Sequence, residues 1–273
     1  MLKMFKFSPF YATITMYEYN KGSYVMKTLY IDCTAGVSGD MLLSALVEIS
    51  GGKGIDEDLK LHHDHSHGHT HDQSHTHTHE HGRSYEDVKH IIEYASHHGV
   101  SENACRFAQN IYAVIAKAEA SVHGETLETV HFHEVGRDQA IKNALGIGAA
   151  LDKLGFDANP TKSAGRILVS PIYDGKGFVD CAHGRIPVPV PAVRAMMDAA
   201  EGTRGPGRGY DFRTAEDVDT EMVTPSGLAG IIGIGAEPAE KGFAIMGSII
   251  AETEAKGTRD TGRGGLRVYL IEE

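Results

Sequence analysis

The sequence has 273 residues, of which 41% are hydrophobic, enough to bury the core of one large or two small domains. A formal net charge of -11 argues against a nucleic-acid-binding surface, which requires clustered lysine and arginine. The three cysteines have no C-x-x-C spacing and indicate no disulfide framework, so we expect a reducing cytoplasm.

Residues 1–25 differ in character from the chain that follows. They mix aromatic, basic and polar residues without a continuous apolar stretch, so neither a signal peptide nor a membrane span is predicted. Met26 precedes a clear strand pattern. We therefore interpret Met26 as the natural start and residues 1–25 as an upstream extension, with a secretory leader as the alternative.

The first strand pattern, ending at Asp32 and Cys33, leads through a turn of small residues into a helical pattern. Either Ser38 or Asp40 is expected to cap that helix. A strand, a turn of small residues and a helix N-terminus form an anion or metal site in many proteins, and we expect Asp32, Cys33 and Asp40 to face it. A tight turn with a capped helix is the alternative, but it does not explain the Asp-Cys pair.

A histidine-rich tract interrupts the chain after this helix. Ten of the seventeen histidines lie between residues 62 and 81, alternating with small polar and acidic residues. Such a tract buries almost nothing, so residues 62–82 are predicted to form a disordered, mobile loop. Imidazole binds nickel, zinc and copper, and an internal, irregular tract is not typical of a purification tag. The expected metal ligands are His62, His63, His65, His67, His69, His71, His75, His77, His79 and His81.

The stretch HFHEVG begins with a second group of metal-binding side chains. If it is extended, His131 and His133 lie on one face of the chain and Phe132 lies on the other. The neighbouring Glu134 is able to bind a metal or to orient an imidazole. We predict metal ligands at His131 and His133, with a pair of hydrogen-bonded surface histidines as the alternative.

The remaining patterns alternate between helix and strand. Helices are expected at 84–98, 101–123, 140–154 and 192–200, and after Thr224 with Pro225 at the first position. Strands are expected at 166–170, 244–252 and 266–271, and a flexible loop at 202–219. Gly146 and Gly148 indicate close packing of the helix that contains them. The alternation predicts an α/β fold around a mixed sheet, with the histidine-rich tract as a disordered insertion.

Four stretches together resemble the LarC-type nickel insertion proteins of the lactate racemase cofactor pathway. They are YIDCTAGVSGDMLLSAL, the histidine tract, AEASVHGETLETVHFHEVG, and HGRIPVPVPA followed by EMVTPSG. The resemblance runs from about Met26 to the C-terminus. It implies a nickel chelatase of the lyase class that inserts nickel into pyridinium-3,5-bisthiocarboxylic acid mononucleotide. The product would contain one nickel-carbon bond and two nickel-sulfur bonds, formed with consumption of CTP.

On this interpretation the histidine tract captures Ni2+ and a pocket presents it to the mononucleotide. The expected pocket residues are Asp32, Cys33, Asp40, His131, His133, Glu134 and Glu221. Metallating a ring carbon requires the loss of a proton, so a base is expected, either Glu134 or a histidine. Because the surface is acidic, cationic groups must offset its repulsion of a phosphorylated nucleotide, and Arg185 and Arg259 are expected to do so.

Two features depart from the family. Its members carry acidic residues after HFHEVG, where this chain has Gln139 and Asn143. They commonly carry a further C-terminal region associated with CTP, so we expect CTP with Mg2+ or Mn2+ to act through a separate partner chain, unless the chain is an incomplete product. Assembly into a homo-oligomer is left open, and neither nucleic acid nor a membrane is expected as a partner.

Two other functions are left open by the residues themselves. A nickel storage or delivery protein without catalysis would explain the histidine tract but not the stretches around Asp32 and His131. A metal-dependent hydrolase would use H-x-H-E near an aspartate. A nucleotide-binding loop is not supported, because no G-x-x-x-x-G-K-[ST] motif occurs and the glycines at 262–265 precede no helical pattern.

Overall fold

The computed structural model describes five ranges of the chain, which are 26–52, 82–163, 165–181, 184–203 and 209–273. The predicted N-terminal extension and the ten histidines of the tract lie outside the described residues. The predictions made for them therefore stay predictions.

The described residues form strands and helices that alternate along most of the chain. The strands are β1 (Lys27–Asp32), β2 (Arg83–Ser84), β3 (His131–Phe132), β4 (Gly165–Val169), β5 (Ile172–Asp174), β6 (Phe178–Cys181), β7 (Gly184–Pro187), β8 (Phe212–Thr214), β9 (Glu237–Pro238), β10 (Ser248–Ala255) and β11 (Leu266–Glu272). The helices are α1 (Gly39–Ile49), α2 (Tyr85–Ser96), α3 (Glu102–His123), α4 (Asp138–Leu154), α5 (Pro191–Thr203) and α6 (Pro225–Gly233).

A mixed sheet of five strands, in the order β10-β11-β1-β4-β9, forms the centre of the fold. Strand β1 runs parallel to β4 and antiparallel to β11, and β4 runs parallel to β9. On β1, Leu29 and Ile31 are fully buried because both of its neighbours are paired strands and helices cover the sheet. The predicted α/β fold around a mixed sheet is confirmed.

The helices form a layer organised around α3, which packs against α2, α4, α5 and α6. Two glycines of α4 allow this helix to lie close to its neighbours α3 and α1, as predicted. A Cβ on Gly148 would lie 2.3 Å from the carbonyl oxygen of Ala104, and one on Gly146 would lie 2.6 Å from Cδ1 of Leu43. None of the described helices combines the length and apolarity that crossing a bilayer requires.

Several local predictions are refined by tertiary pairing. The Ser38 hydroxyl accepts a hydrogen bond from the Met41 amide, so Ser38 rather than Asp40 caps α1. Thr224 caps α6 with Pro225 in its first turn, as predicted. The loop expected at 202–219 contains β8, because the segment finds a parallel partner in β5. The strand expected at 244–252 begins at Ser248, where its pairing with β11 begins.

Candidate functional site

A pocket of about 470 Å³ lies where the N-termini of α1, α4 and α6 meet the connection between β10 and β11. The first residues of α1 and α6 line it beside residues of α4. The N-terminus of a helix carries unpaired amides and a partial positive charge, so such a meeting point favours bound anions. From these helices and their connections come Ser38, Gly39, Asp40, Arg137, Gln139, Asn143, Thr224 and Ser226.

The N-termini of α1 and α6 are held side by side by backbone pairing. Val37 bridges Val223 in parallel, donating to the Met222 carbonyl at 2.9 Å and accepting from the Thr224 amide at 3.0 Å. Gly36 turns the chain into this bridge with a φ of 84°, and a Cβ there would lie 2.3 Å from the Met222 carbonyl oxygen. The glycine is therefore required by both its backbone conformation and its close contact.

Three carboxylates predicted from sequence line the pocket, namely Asp40, Glu134 and Glu221. Glu221 is only 8% exposed, and its carboxylate pairs with the guanidinium of Arg259. Because a buried carboxylate needs a partner, this ion pair fixes Arg259 against the pocket wall. The structure thus brings together four of the residues that sequence reasoning selected.

Asp40 is joined to two amide side chains of α4. The Asn143 Nδ2 donates to Asp40 Oδ1 at 2.6 Å, and the Gln139 Nε2 donates to Asn143 Oδ1 at 2.8 Å. Both amides line the pocket. The hydrogen bonds therefore run from Gln139 through Asn143 and end on the Asp40 carboxylate.

Glu134 lies at the pocket, and the two residues that follow it are tied down by hydrogen bonds. The Tyr112 hydroxyl donates to the Val135 carbonyl at 2.7 Å, and Arg83 donates to the Gly136 carbonyl at 2.9 Å. A Cβ on Gly136 would lie 2.6 Å from the Phe132 carbonyl oxygen. The stretch is thus held as a tight turn whose carboxylate lies at the pocket.

Two cationic residues of the pocket were not selected from the sequence. Arg137 and Lys256 line the pocket together with Arg259. Arg137 follows HFHEVG directly and occupies the N-cap position of α4 without a side-chain cap hydrogen bond. The sequence offered one sign of Arg137, namely an arginine at an N-cap position, where Ser, Thr, Asp or Asn is preferred. Lys256 follows β10, whose end the sequence pattern did not locate.

Asp174 supports the segment that carries Glu221 and was also missed. Its Oδ1 accepts hydrogen bonds from the amides of Gly175, Met222 and Val223 at 2.8, 2.9 and 3.0 Å. The residue is 2% exposed, and its Oδ2 has no hydrogen-bond partner among the described atoms. Burial raises the pKa of this carboxyl, and the nearby Glu221 raises it further, whereas the amide hydrogen bonds oppose the shift.

Asp32 and Cys33 lie away from the pocket, which differs from the expectation that they face it with Asp40. Asp32 Oδ1 accepts from the Thr34 hydroxyl at 2.7 Å, and its Oδ2 accepts from Arg267 of β11 at 2.9 Å. The Cys33 side chain is fully buried in the apolar core, where burial raises the pKa of its thiol. The strand end is therefore occupied by an ion pair and by core packing.

The alternation expected around HFHEVG is confirmed, since Phe132 is 1% exposed while His131 and His133 are exposed. The His131 Nδ1 lies 2.6 Å from the Thr129 carbonyl oxygen, which only accepts, so Nδ1 carries the hydrogen. In the neutral ring this leaves Nε2 with the lone pair that a metal ligand needs. Neither histidine lines the pocket, although Glu134 does.

A metal site is not assembled by the side chains as they stand. Across the described ranges, no three His, Cys, Asp or Glu residues lie close enough together to hold an ion. The metal-ligand roles of His131 and His133 therefore stay predictions.

Arg185 is carried away from the pocket by the hairpin of β6 and β7. In the β-strand register of the hairpin, Arg185 lies opposite Asp180. Its guanidinium lies 5.0 Å from the centre of the Phe178 ring. Arg185 is not among the residues that line the pocket, unlike Arg259. The sequence alone did not distinguish the two, because both are isolated arginines near turns.

The fold and the pocket define an α/β protein whose site combines carboxylates, cations and helix N-termini. Its family is identified by comparison, since the family model described as "Nickel insertion protein" matches residues 29–242. The chain belongs to the nickel insertion protein family. No solved structure matches it.

Among the curated relatives of the chain, several carry the name pyridinium-3,5-bisthiocarboxylic acid mononucleotide nickel insertion protein. The protein from Acetivibrio thermocellus is 35% identical over 76% of this chain and 51% of its own length. The protein from Alkaliphilus metalliredigens is 32% identical over 90% and 60%, respectively. The protein from Desulfitobacterium hafniense is 33% identical over 75% and 48%. The chain thus spans about half of the length of these relatives.

Proposed function

We propose that the chain inserts nickel into pyridinium-3,5-bisthiocarboxylic acid mononucleotide, the compound in the names of its relatives. The observation that carries the proposal is the composition of the pocket. Helix N-termini and cations suited to a phosphate lie there beside carboxylates suited to a divalent metal. The product would be the nickel-pincer nucleotide used by lactate racemase.

The phosphate end of the mononucleotide would bind near the N-termini of α1 and α6. Ser38 caps α1 and Thr224 caps α6. The small side chains at these helix ends leave room for an anion close to the backbone amides. Arg259 and Lys256 line the same wall, and Glu221 orients the Arg259 guanidinium. This arrangement offsets the overall negative charge of the chain where the ligand binds.

The metallation step would use Glu134 as the base. One ring proton passes to its carboxylate while Ni2+ forms a bond with that ring carbon and accepts the two thiocarboxylate sulfurs. Asp40 and Glu221 add negative charge that favours Ni2+ in the pocket. Glu134 is the carboxylate that follows the two exposed histidines directly, so nickel bound near them lies close to the proposed base.

CTP with Mg2+ or Mn2+ would act through the C-terminal region expected from the family. The absence of a phosphate-loop motif in the sequence supports this division. The histidine tract would supply the nickel. We also propose a reducing compartment for the chain, because the spacing of Cys33, Cys105 and Cys181 does not suggest a disulfide framework.

The experiment is an insertion assay with the purified chain, NiCl2, MgCTP and the mononucleotide. It is run with and without the C-terminal region of the Acetivibrio thermocellus relative. Mass spectrometry is expected to detect the mononucleotide with one nickel gained and the ring proton lost. Nickel bound without such a product under both conditions would favour the storage function. Cleavage of the mononucleotide without metallation would favour the hydrolase function.

A further inference from the structure

One buried carboxyl takes no part in the proposed metallation step. Asp174 ends β5, and its Oδ1 accepts hydrogen bonds from the amides of Met222 and Val223 at 2.9 and 3.0 Å. The Gly175 amide donates to the same oxygen at 2.8 Å. A single carboxyl oxygen therefore ties the end of β5 to the segment that leads into α6.

The same segment also holds the turn that precedes α1. The Met222 carbonyl accepts from the Val37 amide at 2.9 Å, and the Thr224 amide donates to the Val37 carbonyl at 3.0 Å. At the start of this turn, the Tyr173 amide of β5 donates to the Cys33 carbonyl at 3.2 Å. The end of β5, the segment before α6 and the turn before α1 thus form one closed network of hydrogen bonds.

The network ends in groups that line the pocket. Ser38 caps α1 and Thr224 caps α6, and both side chains line the pocket. Glu221, directly before the two amides that the Asp174 carboxyl binds, is buried and pairs with Arg259. Asp174 itself does not line the pocket, and it is 2% exposed. Its influence on a bound ligand is therefore exerted through these groups.

We propose that Asp174 is a positioning residue for the phosphate of the mononucleotide, and this role rests on the proposed function. The Asp174 carboxyl keeps Arg259, through Glu221, and the N-termini of α1 and α6 at the distances that a bound oxyanion requires. Hydrogen bonds weaken steeply when a donor moves out of range or alignment. A shift of the segment before α6 therefore weakens several contacts with the phosphate at once.

The choice of a carboxyl group at this position supports the role. The three buried amides require an acceptor, and a neutral oxygen such as that of asparagine also accepts them. The Asp174 carboxyl has a second oxygen, Oδ2, without a hydrogen-bond partner among the described atoms, and burying such an atom costs free energy. An ionised carboxylate forms hydrogen bonds about twice as strong as those of a neutral oxygen. The carboxyl thus fixes the segment despite the cost of its burial.

The test is isothermal titration calorimetry of the full chain with the nickel-free mononucleotide. Asp174→Ala removes the acceptor and should bind at least about tenfold more weakly than the parent chain, whereas Asp174→Asn keeps an oxygen and should bind within about threefold of it. Gly148→Ala is the control for lost stability, because it overpacks α4 at a position that does not line the pocket. It should bind like the parent chain, and circular dichroism verifies that each variant is folded.

A double variant separates positioning from a general structural effect. If Asp174 acts through the groups that bind the phosphate, Asp174→Ala should lose less affinity in an Arg259→Gln background than in the parent background, since the two changes affect one interaction. Asp174→Ser, whose hydroxyl is one bond shorter, replaces Asp174→Ala if the latter does not fold, with the same order of affinities expected.

Parent-like binding by Asp174→Ala, equal losses in Asp174→Ala and Asp174→Asn, or independent losses in the double variant would overturn the positioning role. In the insertion assay, Asp174→Ala should raise the KM for the mononucleotide and leave kcat within about threefold of the parent value, since binding rather than metallation is affected. If the binding results hold but no chain forms product, the proposed function fails and the positioning role stands. If the parent chain forms product but Asp174→Ala binds like the parent, only the positioning role fails.

Discussion

At the scale of single residues, two arginines with the same chemistry have different surroundings. Arg259 lines the pocket and pairs with the buried Glu221, whereas Arg185 lies on the hairpin of β6 and β7. A guanidinium held by a buried carboxylate is preorganised to bind a phosphate, since little side-chain freedom remains to be lost. We therefore propose Arg259, rather than Arg185, as the residue that binds the phosphate.

The Arg259→Gln variant should bind the mononucleotide at least about tenfold more weakly, because one charge-assisted hydrogen bond contributes about 1.5–3 kcal/mol. Arg185→Gln should bind it like the parent chain, since the hairpin carries this residue away from the pocket. Isothermal titration calorimetry with the nickel-free mononucleotide measures both constants. Equal losses in the two variants would place the phosphate elsewhere.

Sequence reasoning found those site residues whose positions depend on local structure. Asp40 follows the cap of α1, and Glu221 precedes the cap of α6, so both reach the pocket with the helix ends that the sequence predicted. Cys33 was placed in the site because it neighbours Asp32 at a strand end. Which side chain turns into the core there is decided by packing with distant elements, and no local pattern encodes it.

At the scale of elements, α4 packs against α3 at Gly148 and against α1 at Gly146, and the two glycines meet different kinds of atoms. An added methyl group at Gly148 meets the backbone of Ala104, whereas one at Gly146 meets the end of the Leu43 side chain. A side chain is able to rotate away, but a helix backbone is not. The two glycines therefore differ in how much a larger residue disturbs the fold.

The Gly148→Ala variant should lower the free energy of unfolding by about 1–3 kcal/mol through overpacking. Gly146→Ala should cost less, because the gain in helix propensity of about 1 kcal/mol offsets a contact that Leu43 can relieve. Urea unfolding followed by circular dichroism compares the variants within one helix. A loss at Gly146 equal to or greater than that at Gly148 would contradict this packing.

Asp174 gives the segment before α6 a distinctive dependence on pH. Its raised pKa means that the folded chain holds this proton more tightly than the unfolded chain does. The stability that the proton contributes is therefore present at low pH, and it is lost as the pH rises from the unfolded value of about 3.9 through the folded pKa. Other carboxyl groups titrate in the same range, so a matched variant is needed.

The Asp174→Asn variant keeps an oxygen for the three amides but removes the titration. As the pH falls from 7 towards 4, the parent chain should gain stability relative to Asp174→Asn, because only the parent takes up this proton. Thermal unfolding of both chains at matched pH values gives the difference. A difference that is constant with pH would show that the Asp174 pKa is not raised.

The elements themselves were largely predictable, and their limits were less so. Helix α6 was fixed by Thr224 and Pro225, which act on the local backbone. Strand β8 and the limits of β10 were not, because pairing with β5 and with β11, respectively, determines where these segments form strands. Short strands carry too little periodicity of their own to reveal such pairing.

At the scale of the whole molecule, the chain spans about half the length of its curated relatives, with 51% of the Acetivibrio thermocellus protein covered. We expect this chain alone to bind CTP weakly or not at all, since its sequence contains no phosphate-loop motif. Calorimetric titration with CTP and MgCl2 measures this. Tight binding would place the nucleotide site within residues 1–273 and contradict a CTP site in the C-terminal region expected from the family.

The nickel insertion rate of Glu134→Gln tests most directly whether the pocket is the place of metallation. The assay uses saturating nickel and the C-terminal region of the relative, with Glu128→Gln as control, because Glu128 is exposed and does not line the pocket. A general base contributes about 10²- to 10⁴-fold, so Glu134→Gln should be slower by at least about a hundredfold while Glu128→Gln matches the parent. Parent-like insertion by Glu134→Gln would contradict the assignment of the pocket.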